Sequence, residues 1–314
     1  MKVVFFGTGD IGLPSLEALF ASAGHELLAV FTRPDKPFGR AGELKVPVPK
    51  LFAGQNGIAI HQPANMRDID SVEILRSYAP DIIVVVAYGQ ILPKQVLEVA
   101  SSACLNLHAS ILPSYRGAAP IQAAILAGER ESGMTVMYMD EGLDTGDILL
   151  VHKLELATEE TGGSLHDRLA EIGPLALMEA LTLLEDGPAP RIVQDHGAAS
   201  HMGKLKRGDG AIDWHLSAGR IDRQIRAFDP WPGSFTGLKD GTATKIFPPV
   251  ELLPGTSAPP GEIIEANRQG IIVGCGEGAL RILEIQPAGS RRMPVVDFLA
   301  GRKLQAGDIL TGCS

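Results

Sequence analysis

Cysteine is scarce in this 314-residue chain: Cys104, Cys275 and Cys313 stand far apart. No C-x-x-C pair occurs, which argues against a disulfide framework and against a thiolate zinc site. Long apolar runs are also missing. The longest, near Ile82 to Tyr88, falls well short of the roughly 18 residues that a membrane-crossing helix needs. There is no internal repeat and no low-complexity tract. Positive charge is not in excess either. The 28 Lys and Arg face 37 Asp and Glu, a formal net charge of −9, which excludes a generally adhesive polyanion binder. The opening stretch "MKVVFFGTGD" enters a strand directly, with no separate apolar region, cleavage site or Arg/Ser-rich leader. The expectation is a cytoplasmic protein with no membrane segment, and nothing in the pattern calls for more than a monomer.

What is present is ample core material. Hydrophobic residues make up 45% of the chain, and the length accommodates two domains. The acidity is uneven. Residues 1–205 carry 15 basic against 25 acidic side chains, whereas residues 206–314 carry 13 against 12. The C-terminal part is therefore the less repulsive to a polyanion.

In the first half, strand-like runs "KVVFF", "LLAVF", "DIIVVVAYG" and "ACLNLH" alternate with helical patterns such as Pro14 to Ala21 and Val72 to Tyr78. That alternation predicts an α/β domain, a parallel sheet with helices on both faces. Right-handed crossovers put the first strand in the interior. A long stretch, "TRPDKPFGRAGELKVPVP", follows the second strand. Its prolines, glycines and mixed charges read as an irregular functional loop. A strong helix begins at Gly162, and periodicity then fails after Gly187. These breaks set an N-terminal domain at 1–188, a linker at 189–206 and a C-terminal domain at 207–314. In the last, one helix precedes short runs such as "TATKIF", "GIIVGC" and "ALRILEI". Frequent Gly and Pro between them predict a small antiparallel barrel or sandwich.

Gly7, Gly9 and Gly12 have the spacing of a dinucleotide-binding turn. The acidic residue expected about 20 residues further on is replaced by "FTRPD". Arg33 could meet a 2′-phosphate, so an NADP-dependent oxidoreductase stays open at this point. The alternative is that the glycines only permit a tight strand-to-helix turn.

The densest polar cluster is "CLNLHASILPSYRGAAPIQAAI". Asn106 and His108 are two apart, so on a strand they face the same way. They lie at the C-terminal end of that strand, where parallel sheets place ligands. An amide beside an imidazole suits a developing oxyanion. Further on, "MDEGLDTGDIL" puts Asp144 and Asp147 in a Gly-rich turn. A carboxylate there could orient His108 or accept a proton. Simple Asx-turn chemistry is the competing reading. No spacing links His108 to a second metal ligand.

The whole stretch "NLHASILPSYRGAAPIQAAILAGERESGMTVMYMDEGLDTGDIL" closely resembles the signature region of the folate-dependent formyltransferases. Asn106, His108 and Asp144 match that family's catalytic Asn, His and Asp. "FFGTGDIGLPSLEAL", "VFTRPDKPFGRAGEL", "VVVAYGQILP" and "IDWHLSAGRIDRQIRAFDPWPGSF" extend the resemblance over nearly the whole chain. They are similar to the branch whose acceptor is initiator methionyl-tRNA. A branch acting on amino-sugar nucleotides is the nearest alternative.

The resemblance implies a Rossmann-like N-terminal domain that binds no dinucleotide and an OB-like β-barrel at the C-terminus. It implies 10-formyltetrahydrofolate as formyl donor and no metal. Folate contacts fall on Ser110, Ile111, Leu112 and Pro113, on Tyr88, Gly89, Gln90 and Ile91, and on Met139. The tRNA contacts fall on Arg40 and Lys45 in the long loop, on Lys204, Lys206 and Arg207, and on Arg291 and Arg292. This chain departs from the family after Arg40, where "GRAGEL" stands in place of a Gly and paired lysines. Fewer cations there mean fewer phosphate contacts and a shallower salt dependence.

Overall fold

The computed structural model describes residues 1–38, 43–256, 258–302 and 304–312. Arg40 lies outside the described residues. The chain divides into two compact units, one built from Met1–Pro120, Glu131–Glu155 and His166–Met202. The other comprises Ile121–Arg130, Leu156–Leu165 and the chain from Gly203 onward.

Among the described residues, eleven strands belong to the first unit: β1 (Lys2–Gly7), β2 (Glu26–Phe31), β3 (Lys36–Phe38), β4 (Glu43–Lys45), β5 (Ala59–His61), β6 (Ile82–Val86), β7 (Ala103–His108), β8 (Arg116–Gly117), β9 (Glu131–Tyr138), β10 (Ile148–Glu155) and β11 (His201–Met202). Its helices include α1 (Leu13–Ala21), α2 (Val48–Gln55), α3 (Ile69–Ser77) and α4 (Lys94–Leu97). Seven strands form one sheet in the order β10-β9-β7-β6-β1-β2-β5. The run from β5 to β7 is parallel, and β9 and β10 add on antiparallel. Interior parallel strands are covered on both faces, so they read as unbroken apolar runs. Val3 to Phe6 and Ile82 to Val86 are accordingly buried. Interior β1 and the mostly parallel sheet agree with the sequence reading.

The glycine turn after β1 serves packing. A Cβ on Gly12 would lie 3.0 Å from Val86 Cβ, and one on Gly7 would lie 2.4 Å from Phe5 Cε1. The Gly9 amide donates to the Ala87 carbonyl. Arg33, the candidate partner for a 2′-phosphate, donates instead to the Gly89 carbonyl at 2.6 Å.

The stretch from 32 to 49 corrects the expectation of an irregular loop. β3 and β4 pair as a hairpin, and α2 starts at Val48. Its prolines do not oppose the helix. Pro47 is the N-cap and Pro49 sits in the first turn, where a missing N–H leaves no bond unmade.

A surface cluster ends the glycine turn. His166 Nε2 lies 3.2 Å from Asp10 Oδ1, and its Nδ1 lies 3.0 Å from Asp167 Oδ1. The hydrogen bond to Asp10 raises the His166 pKa to about 9. The same bond lowers the Asp10 pKa to about 2. Stabilisation from a raised His is complete below its unfolded pKa and fades as pH rises through the folded one. For the lowered Asp it is complete above the unfolded pKa and fades as pH falls. The pair therefore stabilises fully between about pH 4 and 6.5, and the contribution is lost as pH rises through about 9 or falls through about 2. Both groups are partly exposed, so solvent screening keeps the effect small. Thermal melts of His166→Gln should lie below wild type at pH 6 and converge with it by pH 10. A difference that persists at pH 10 would assign the loss to packing.

The second unit holds α5 (Ala218–Ala227), strands β12 (Ser234–Gly237), β13 (Ala243–Leu253), β14 (Ile263–Asn267), β15 (Gly270–Gly274), β16 (Ala279–Pro287) and β17 (Met293–Pro294), and helix α6 (Val295–Gly301). Its antiparallel sheet runs β12-β13-β16-β15-β14, with β17 on β16. Residues 309–311 bridge to both edges, Thr311 to Gly237 and Ile309 to Glu262. Those bridges join the two edges into a barrel around Trp214, Ile221, Ile246, Val273, Leu280 and Ile282. Closure of this kind protects edge strands.

Candidate active site

Asn106 and His108 lie at the end of β7, between β6 and β9. Asn106 is in register with Val85 on β6 and with Met137 on β9. The strand period turns both side chains to one face, while Leu105 and Leu107 are buried on the other. Asp144 comes from the loop between β9 and β10. Its Oδ1 has Asn106 Nδ2 at 3.5 Å and His108 Nδ1 at 3.6 Å. The three residues that the sequence singled out therefore converge. The imidazole and the carboxylate are both largely withdrawn from solvent, at 7% and 13% side-chain exposure, which strengthens their electrostatic interaction.

Backbone groups outside the predicted set complete this arrangement. His108 Nε2 meets the Tyr115 carbonyl at 3.0 Å, so both ring nitrogens face acceptors. The Gly117 amide donates to Asp144 Oδ2 at 2.8 Å. Asp144 adopts φ +55°, a left-handed conformation. Such a backbone persists only where its surroundings over-determine it.

Ser110 to Pro113 follow β7 directly. Ser110 is buried, and its hydroxyl donates to the Ser114 carbonyl at 2.6 Å. Thr135 accepts from the Leu112 amide and donates to the Ser110 carbonyl. Ile111 is half-buried. This stretch is thus a braced backbone rather than a row of free side chains. Tyr88 to Ile91 follow β6, the neighbour of β7. Tyr88 is buried edge-on against Phe6, and its hydroxyl has no hydrogen-bond partner among the described residues. Burial pushes that phenol well above its ordinary value. Gln90 is occupied with the Pro63 carbonyl and the Met66 amide. Gly89 accepts from Arg33, and Ile91 is exposed. The Met139 amide donates to the Cys104 carbonyl, which ties it beside β7.

The basic residues are distributed differently. Lys45 lies on β4. Lys204, Lys206 and Arg207 are exposed in the second unit, as are Arg291 and Arg292. Arg292 pairs with Glu284 and lies 4.3 Å from the centre of the Phe247 ring, so its charge is partly offset locally. Among the described residues, no group of three or more His, Cys, Asp or Glu is placed to hold a metal.

The sequence profile of the formyl transferase family matches residues 1–181, and that of the formyl transferase C-terminal domain matches residues 204–303. The chain belongs to the formyl transferase family. This formyltransferase is 43% identical over 310 residues to the methionyl-tRNA formyltransferase of Desulfotalea psychrophila, covering 99% of this chain and 95% of that one. It is 44% identical over 303 residues to the enzyme of the same name from Marinobacter nauticus, covering 96% and 97%. Among solved structures, it resembles the sugar 3N-formyl transferase WlaRD with a TM-score of 0.68 at 20% identity, covering 93% of this chain and 99% of that one. It also resembles HypX from Aquifex aeolicus, solved with tetrahydrofolic acid, with a TM-score of 0.61 at 18% identity. That likeness covers 95% of the formyltransferase but 47% of HypX, so this chain spans about half of that longer one. At such identities the two structures speak for the fold.

Sequence reasoning missed Tyr115, Arg116, Gly117 and Gln194. The one visible signal was Arg116, which stands alone among Asp, Glu, Lys and Arg between Glu98 and Glu129.

Proposed function

We propose that this chain transfers the formyl group of 10-formyltetrahydrofolate to the α-amino group of initiator methionyl-tRNA. The observation that carries the reading is the convergence of Asn106 Nδ2, His108 and the Asp144 carboxylate at the end of β7. End-to-end similarity to methionyl-tRNA formyltransferases supplies the acceptor. A monomeric, cytoplasmic enzyme goes with this reading. No helix among the described residues is long and apolar enough to cross a membrane.

The formyl donor is a substrate, and the polar inventory around β2 and β6 suits it. The Tyr88 hydroxyl and Arg33 Nε are buried without hydrogen-bond partners among the described residues, and a heteroaromatic ring carries the polar edge that pairs with such groups. Tyr88, Gly89, Gln90, Ile91 and Met139, with Ser110 to Pro113, would hold it mainly through backbone groups.

In the reaction, a bond forms between the amine nitrogen and the formyl carbon, and the bond from that carbon to the folate nitrogen breaks. The amine proton ends on the departing nitrogen. Asn106 Nδ2 donates to the oxygen that becomes negative, and His108 supports the same charge. Asp144 is pinned through Oδ2 by Gly117, and its Oδ1, which faces Asn106 and His108, orients the amine, takes its proton and passes it to the departing nitrogen. An unperturbed α-amine has a pKa of about 7.7–8.0, so neutral nucleophile is available near pH 7.5.

The test is formyl transfer from 10-formyltetrahydrofolate to methionyl initiator tRNA, with a parallel reaction offering an amino-sugar nucleotide. Product with tRNA alone is expected. Product with the sugar alone would reassign the acceptor and keep the chemistry.

Arg40, Lys45, Lys204, Lys206, Arg207, Arg291 and Arg292 would contact tRNA phosphates. Arg40→Ala is expected to lower kcat/KM for tRNA, leave the KM for folate unchanged, and reduce the salt slope by about one. An unchanged rate at subsaturating tRNA would remove Arg40 from the interface.

A further inference from the structure

Residues 194–202 return to the site and brace both of its titratable groups. The Ser200 hydroxyl accepts from the Tyr115 amide and the Ser200 carbonyl accepts from the Arg116 amide, each at 2.8 Å. Met202 pairs with Gly117 through β11 and β8. Two of the three residues held this way reach the site. The Tyr115 carbonyl meets His108, and the Gly117 amide holds Asp144.

The Arg116 side chain closes a second route. Arg116 is 3% exposed, and its guanidinium grips Gln194 Oε1 from Nε at 3.2 Å and from an Nη at 2.7 Å. Gln194 is 4% exposed. Its Nε2 donates to the Asp144 carbonyl at 3.0 Å and to the Gly146 carbonyl at 2.7 Å. A guanidinium at one end and carbonyl oxygens at the other leave a single sensible orientation for the amide. The cation on its oxygen also polarises the amide and strengthens donation from its nitrogen. The two carbonyls belong to the turn that starts at the left-handed Asp144. Gln194 thus fixes the main chain of Asp144 while Gly117 fixes its carboxylate.

We propose that Gln194, held by Arg116, is a positioning residue that sets the Asp144 carboxylate against Asn106 and His108 for formyl transfer. The inference rests on the proposed function of that trio. Gln194 reaches Asp144 through the backbone and needs no contact with substrate.

Gln194→Glu separates positioning from folding. The new carboxylate keeps the acceptor for Arg116 and adds charge to that pair. Toward Asp144 and Gly146, however, it presents an acceptor where the amide donated. The expected result is an enzyme that still folds, with a lowered melting temperature because two buried carbonyls lose their donor, and a kcat of the folded protein lower by about 10- to 100-fold, as for other partners that orient a reacting group. KM for folate and tRNA should stay unchanged. The deficit should narrow as pH falls, because a protonated Glu can donate again. In an Asp144→Asn background, single-turnover rates should show no further loss from Gln194→Glu. If Gln194→Glu does not fold, Gln194→Met removes donor and acceptor without adding charge and is expected to lower kcat in the same way.

A folded Gln194 variant with wild-type kcat overturns the inference. So does a full multiplicative loss on top of Asp144→Asn. An Asp144→Asn enzyme with wild-type rate would instead overturn the functional reading beneath it, whichever way Gln194 behaves.

Discussion

Asp144→Asn is expected to lower the single-turnover rate of formyl transfer by about 100- to 10,000-fold, the span of general acid–base contributions, with folate and tRNA binding retained. The substitution is mild for the fold. Asn tolerates left-handed backbone better than most residues, and Asp144 has φ +55°. An amide oxygen can still accept from the Gly117 amide, as Asp144 Oδ2 does at 2.8 Å. That choice turns the NH2 toward Asn106 Nδ2 and His108, which sit 3.5 and 3.6 Å from Oδ1. A donor then faces the Asn106 donor, and the only carboxylate of the trio is gone. Neither a proton acceptor for the amine nor a charge beside His108 remains. Rapid-quench transfer, equilibrium binding and a thermal melt together check this. A folded variant at wild-type rate would show that the carboxylate is not used. Loss of tRNA binding would show that the chemistry has been misplaced.

Gly117→Ala should damage both stability and rate. Gly117 has φ +110°, and a Cβ there would lie 2.4 Å from the Met202 carbonyl oxygen. That oxygen accepts from the Ala118 amide at 2.9 Å, so the clash falls on the β8–β11 pairing itself. Strain plus a backbone clash should cost about 2–4 kcal/mol, a fall in Tm of about 5–15 °C for a unit of this size. Displacing β8 also pulls the Gly117 amide from Asp144 and shifts the Tyr115 carbonyl at His108. The rate of the folded fraction should therefore fall as well. Gly187→Ala is the control: its φ is +137°, but no atom within 4 Å would meet a Cβ. It should lose some stability and keep its rate. Gly117→Ala with normal melting and normal turnover would mean that β8 can move without consequence, and that it does not hold the site.

Composition, apolar periodicity and residue spacing were sufficient for the parallel core, the interior first strand and the N-x-H pair on one face. Each is a local property. A strand buried on both faces must be apolar throughout, and alternate residues of a strand share a side whatever the rest of the chain does. Asp144 was legible as a carboxylate in a turn, and the family resemblance tied it to His108. The buckle behind it was not legible. Arg116 and Gln194 are 78 residues apart, and no short-range pattern marks a polar pair whose partners meet only when the chain returns. The hairpin and α2 within residues 36–55 were hidden because proline was read as a breaker, although it stands at a helix start. Likewise, the strap of residues 194–202 had the composition of a loop, yet its bonds to residues 115–118 brace the two groups proposed to do the chemistry. Side-chain identity and strand period decided what the site contains. Only the tertiary structure decided how it is held, because hydrogen bonds between distant segments depend on where the chain has been brought and not on what lies next to it.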